Sequence, residues 1–265
     1  MTNRTNSSLL DGLAAWILPV ALLVGWEIAA DAGLIAARVL PAPSAVARAF
    51  WQTWRDGSLV ENVGVSTLRA MEGLVVGGLL GFALGIVNGL WRPAEVALDS
   101  SLQMLRNIPH LAIIPLVILW FGIGEEAKIF LVSIGVLFPV YVNTYHGVRT
   151  IDATLVEMAR VYGLGPLALF WRVILPGALP SVFVGLRYGL GVMWLTLIVA
   201  ETISASSGIG YMTMNAREFL QTDVVLLGVI IYATLGKLSD VTTKILERAA
   251  LSWHPSYAAQ AAVRA

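Results

Sequence analysis

The chain has 265 residues, of which 57% are hydrophobic and only 13% charged, with a mean hydropathy of +0.78. Soluble domains carry about 25% charged residues, so this composition leaves too little polar surface for water on every side and points to a membrane-embedded protein. Lys+Arg and Asp+Glu both number 17, which excludes a global field that gathers nucleic acid. The lack of cysteine excludes disulfides, thiolate metal sites and cysteine nucleophiles.

The first apolar run, Leu13–Ala30, follows a polar head at 1–12. A secretory signal is the alternative, but about 18 residues is long for its apolar region and enough to span a bilayer. It is expected to be an uncleaved first span. "LPAPSAVARAFWQTWRDGSL", residues 40–59, is too polar to span. Ser44 is expected to cap an amphipathic helix over about 44–57, with Val46, Phe50 and Trp54 on one side and its tryptophans at headgroup level.

The second run, Leu74–Leu90, carries Gly73, Gly77, Gly81, Gly85 and Gly89 every fourth residue. Such a stripe lets another backbone approach closely, either a neighbouring span or a second subunit. Arg69 and Glu72 stand i, i+3 at its start and could simply pair. Further runs occur at Leu111–Ile123, Ile129–Val142, Leu175–Ala200 and Val224–Leu235, the first and last of them short. Hydropathy supports four to six spans, and six fits best. Pro109, Pro115, Pro139, Pro176 and Pro180 lie in or beside them, as membrane helices tolerate.

With six spans, basic residues set the orientation. If the loop around residue 157 is cytoplasmic, that side holds Arg4, Arg92, Arg106, Arg149, Arg160, Arg172, Lys244, Arg248 and Arg264. Arg38, Arg48, Arg55, Lys128 and Arg217 lie on the other side. Both termini are then cytoplasmic, with a single transmembrane domain over 13–246 and a tail over 247–265. "SASSGIGYMTMN", residues 204–215, becomes an outward loop or re-entrant segment.

One short polar stretch breaks the pattern. "DATLVEMARVYG", residues 152–163, has Thr154 and Glu157 at capping-box spacing, Asp152 as the alternative cap, and Gly163 as a left-handed stop before Gly165-Pro166. A helix of two to three turns is expected. Leu155, Met158, Ala159 and Tyr162 share one face, with Glu157 and Arg160 off it. So short a helix is not stable alone, so it must dock against its own membrane domain or against another protein.

"VEMARVYGLGPLALFWRVILPGALP" resembles the EAA signature of the permease subunits of ABC importers: Glu157-Met158-Ala159, then Gly163, then Val173–Pro176. Met158 replaces the middle alanine. "RNIPHLAIIPLVILWFGIGEEAKIF", "GLRYGLGVMWLTLIVAET" and "SGIGYMTMNAREFLQTD" look like the aliphatic-sulfonate branch of the nitrate/sulfonate/taurine group, and the similarity runs from about Leu59 to Trp253. The resemblance implies an all-α type I importer permease with a cytoplasmic coupling helix that presents Leu155, Glu157, Met158, Ala159, Tyr162 and Gly163. It also implies a bacterial inner-membrane location, a second permease copy, two cytoplasmic ABC ATPase subunits and a periplasmic solute-binding protein, which could dock at 204–215. ATP and Mg would sit on the ATPase. The chain has no phosphate-cradling loop of its own, the nearest fragment being "LGKLSD", residues 235–240, and no nucleophile–base pair, so it is not expected to be an enzyme by itself. Substrates could be aliphatic sulfonate, taurine, nitrate or another small solute.

Ionisable and polar groups in spans are functional candidates by default. Arg187 has no sequence-local acid and is the leading candidate to steer an anion, with Arg69, Glu72, Asn143 and Thr196 as further pathway candidates. Asn107, His146 and Glu201 could line a cavity or only bridge helices. An ion-coupled secondary transporter is the rival reading, but no inverted repeat is visible and Glu27 and Glu201 lie near span ends.

Overall fold

The computed structural model describes residues 4–253, with side chains from Trp16 onward except Ser204. Arg264, named above, lies outside the described residues, as does the side chain of Arg4. Among the described residues the chain is helical, with no strand: α1 Arg4–Asp31, α2 Pro43–Arg55, α3 Ser58–Leu90, α4 Arg92–Arg106, a 3-10 turn His110–Ile113, α5 Ile114–Phe121, α6 Glu125–Arg149, α7 Ala153–Val161, α8 Pro166–Leu169, a π turn Phe170–Ile174, α9 Leu175–Ser204, α10 Ile209–Glu218 and α11 Thr222–Ala250.

Four described segments are long and apolar enough to cross a bilayer: Ser58–Leu90, Glu125–Arg149, Pro166–Ile203 and Thr222–Ala250. The expected six-span count changes in one instructive way. The short run at Leu111–Ile123 is one limb of a broken span whose other limb is α4, the two bent by 82°. Arg106 ends the first limb, so it stands at the break and not at the cytoplasmic surface where the charge count put it. The short run at Val224–Leu235 extends through polar flanks into the 29-residue α11. The expected first span falls in α1, whose Trp16, Ile17, Leu18, Leu22 and Ile28 face outward. Glu27 of α1 caps α2, accepting from the Ser44 N–H at 3.0 Å. Helix α2 therefore begins at Pro43, and Ser44 is capped by another element instead of being the cap.

The core is three helices pressed together through small residues. The glycine stripe of α3 lies against α6: Gly73 meets Val132, Gly77 meets the Ser133 carbonyl, and a Cβ at Gly85 would sit 2.6 Å from Thr144 Cβ. At Gly89 it would sit 2.7 Å from Val148 Cγ1. Of the two readings left open by spacing, packing within the chain is the one found. The pairs ascend together, so α3 and α6 are parallel, which requires the broken span to carry the chain back. Helix α9 runs antiparallel to α6, with Gly185 against Asn143 and Pro139, and Gly135 against Thr196. Val132, Val136, Val140, Leu190, Met193 and Leu197 fill the centre. In lipid, where burial of apolar area gives little, this close contact is what holds the helices together.

Candidate functional site

Helix α7 connects α6 to the α8–α9 segment. Its start is set by Asp152, whose Oδ1 accepts from the Thr154 N–H at 2.8 Å. Thr154 therefore lies inside the helix, and the alternative cap is the one used. Gly163 adopts φ +81. The Gly163 N–H bonds to the Arg160 carbonyl at 2.9 Å, and the Leu164 N–H to the Ala159 carbonyl at 3.0 Å. That is a Schellman end, and it satisfies carbonyls that a helix terminus otherwise leaves bare.

The apolar face divides. Ala159 is buried with Val148, Leu169, Ile174 and Ala178, and Val156 and Leu164 pack on the same cluster. These side chains seat α7 on its own domain. Leu155 and Met158 are half exposed, while Tyr162 is 79% and Val161 86% exposed. Glu157 and Arg160 point outward and form no ion pair among the described residues. Of the face expected from spacing, Ala159 thus turns inward. Val161, which the helical pattern left out, is its most exposed member; Leu167 and Trp171 extend the same outward apolar surface at 73% and 59%.

At the far end of the bundle lies a closed electrostatic cluster. Arg69 on α3 makes a two-pronged contact with Glu125 on α6. Its Nη1 donates to Glu201 Oε1 on α9 at 2.8 Å and to the Ser207 carbonyl at 2.7 Å. Its Nη2 also reaches Ser207 Oγ at 3.1 Å. A guanidinium has five N–H donors, and all five are used here. Glu201 further accepts from Ser66 Oγ at 2.8 Å, the Gly210 N–H at 2.9 Å and Tyr232 Oη at 2.9 Å. Lys128 adds a second cation, 3.1 Å from Glu125. Two cations and two carboxylates thus tie α3, α6, α9, α10 and α11 together. The local Arg69–Glu72 pair is not formed; Glu72 is exposed. The segment 204–215 is mostly structured, with Ile209 and Met212 of α10 buried.

Arg187 is also paired, through sequence-distant acids: Glu247, and Asp240 at 3.6 Å, both on α11. Asp240 in turn binds Lys244 at 2.7 Å. Thr196 is fully buried, its Oγ1 2.9 Å from His110 Nε2. Asn143 donates to the Pro139 carbonyl at 2.8 Å and lines a cavity of about 320 Å³ beside the break of the broken span. Among the described residues no His, Asp or Glu cluster is arranged to hold a metal.

Comparison with known proteins agrees with this architecture. The profile of the family described as "Binding-protein-dependent transport system inner membrane component" matches residues 74–251. The SsuC protein of Escherichia coli (strain K12), named as an aliphatic sulfonates transport permease, is 58% identical over 92% of this chain and 93% of its own. The taurine transport system permease protein TauC of the same organism is 37% identical over 91% and 90%. Among solved structures, an amino acid ABC transporter aligns with a TM-score of 0.62 at 15% identity, covering 75% of this chain and 97% of that one. The MetNI methionine ABC transporter aligns at 0.55 and 19%, covering 77% and 98%. At such identities the structures speak for a shared fold alone.

Proposed function

The chain belongs to the binding-protein-dependent transport system inner membrane components, as an ABC importer permease of the nitrate/sulfonate/taurine group with the type I fold, and from that premise we propose how it works. It is the membrane-spanning, non-catalytic half of an ATP-driven importer. Two copies of this chain join two cytoplasmic ATPase subunits, which bind ATP and Mg, and a periplasmic binding protein delivers the solute. The solute is an aliphatic sulfonate, a reading supported by the name of the 58% identical relative.

The observation that carries the proposal is α7. It is capped at both ends, seated by Val156, Ala159 and Leu164, and it presents Leu155, Met158, Val161 and Tyr162 with no covering element among the described residues. A capped helix keeps its shape under load, so displacement of its outer face passes to α6 and α9. ATP binding would close the ATPase dimer, move α7 as a lever and shift the bundle between inward- and outward-open states, by no more than the differential affinity for the two states. In this orientation α7 and both termini are cytoplasmic.

Of the pathway candidates, Arg69, Thr196 and Arg187 have protein partners, and Glu72 faces outward. Asn143, beside the cavity, is the one best placed to meet a solute. The test is vanadate-sensitive ATP hydrolysis by the reconstituted complex. Stimulation by binding protein loaded with an alkanesulfonate, above that with taurine or nitrate, is the expected result; equal stimulation by all three removes the sulfonate assignment.

A further inference from the structure

The break between α4 and α5 holds a cation that no acid among the described residues neutralises. Arg106 ends α4 at the 82° bend and lines the 320 Å³ cavity together with His110, Asn143 and Tyr188. Apart from Arg106, Ile108 and His110, the cavity wall comes from the central turns of α6 (Ile134 to Asn143) and α9 (Tyr188 and Val192), so the site lies deep between the ends of both helices. Arg106 has no ion pair among the described residues, whereas Arg69, Arg149 and Arg187 each have one. No carboxylate lines the cavity. The Tyr188 hydroxyl likewise has no hydrogen bond among the described residues, and the residue is 69% exposed.

Two physical arguments converge. Non-helical backbone at membrane depth persists only where protein buries it or where it lines a water-filled cavity. Asn107, Ile108 and Pro109, the residues of the break, are left uncovered by the other described residues, which fits the second of these settings. Arg106 is itself exposed at this break, and an ionisable residue at membrane depth that faces a water-filled cavity marks a substrate or ion path. Helix α4 is not free to withdraw Arg106, because Tyr145 donates to Glu95 at 2.6 Å and Tyr141 to Asp99 at 3.0 Å, fixing α4 on α6.

We propose that this cavity is a transit site for a small amphiphilic anion, its head held by the Arg106 guanidinium and Tyr188 hydroxyl and its alkyl part by the Phe138 and Val192 wall. The planar donor fork of arginine suits an oxyanion with several acceptor oxygens, and the volume suits a short-chain solute. This rests on the transport reading above and adds a place and a charge to it.

The chain lacks cysteine, so Val142→Cys puts a single thiol beside the cavity. In membranes that carry the whole complex, its reaction with a sulfonate-bearing methanethiosulfonate reagent is compared with that of a trimethylammonium-bearing one. A focused positive potential should favour the anionic reagent about tenfold. The preference should vanish with Arg106→Gln, survive with Arg106→Lys, and be unchanged by Arg172→Gln outside the cavity. Butanesulfonate should slow labelling only while residue 106 is cationic. An anion preference independent of residue 106, no reaction from water, or no slowing by butanesulfonate would each overturn the proposal. ATP-driven butanesulfonate uptake by the same membranes separates the two readings. Uptake without Arg106-dependent labelling sinks the site and spares the function; Arg106-dependent labelling without uptake does the reverse.

Discussion

The two ends of the bundle handle polar groups in opposite ways. At the end holding Arg69 and Glu201, every donor of a buried guanidinium is matched and five helices are locked to one another. At the α7 end and at the break of the broken span, apolar and charged groups are left facing outward with nothing among the described residues to cover them. A bundle that must rock needs a fixed corner to rock about and uncovered surfaces through which partners act. The contrast suggests that the Arg69 corner is the fixed part and that the open surfaces carry the coupling and the solute.

The largest effect should come from breaking the corner. Removing one member of a buried ion pair strands the other charge and costs about 3–5 kcal/mol. Arg69→Met or Glu201→Leu should therefore sharply reduce the yield of monodisperse protein in size-exclusion chromatography. Normal yield would mean that the corner is not a structural clamp. Next comes the docking face. Gly163 has a positive φ that proline cannot adopt. Gly163→Pro, or Val161→Asp with Tyr162→Asp, should leave the permease in the membrane and abolish co-purification of the ATPase, because a full apolar contact of Leu155, Met158 or Val161 is worth about 1.5–3 kcal/mol each.

Arg187→Ala should do less. Glu247 is buried, but Arg187 and Asp240 are partly exposed, and water at the guanidinium weakens the pairing, so thermal stability should fall less than at the Arg69 corner and uptake should persist. Uptake lost at normal stability would restore Arg187 to the solute pathway. The smallest effect is expected at the helix cap: Asp152→Ala should cost about 1 kcal/mol, weakening ATPase association several-fold without abolishing it.

What could be read in the sequence was whatever is specified by near neighbours along the chain. Helix α7 was legible because its cap, its stop and its apolar spacing lie within about a dozen residues. The glycine stripe was legible as a stripe, yet its partner α6 was not, because nothing local encodes which helix approaches. The partners of Arg69 lie 56 and 132 residues away and the Glu247 partner of Arg187 lies 60 away, so spacing offers Arg69 only Glu72 and offers Arg187 no local acid. The break at Asn107–Pro109 has a signal in Pro109, but hydropathy detects only the apolar second limb and passes over the polar α4, so counting charges places Arg106 at the surface.

The central claim, that α7 is the lever on the cytoplasmic side, is tested most directly by labelling a single Met158→Cys thiol with a membrane-impermeant maleimide. Inside-out vesicles should label, right-side-out vesicles should not, and the ATPase subunit should protect the thiol. Labelling from the outside, or labelling that the ATPase leaves untouched, would contradict it.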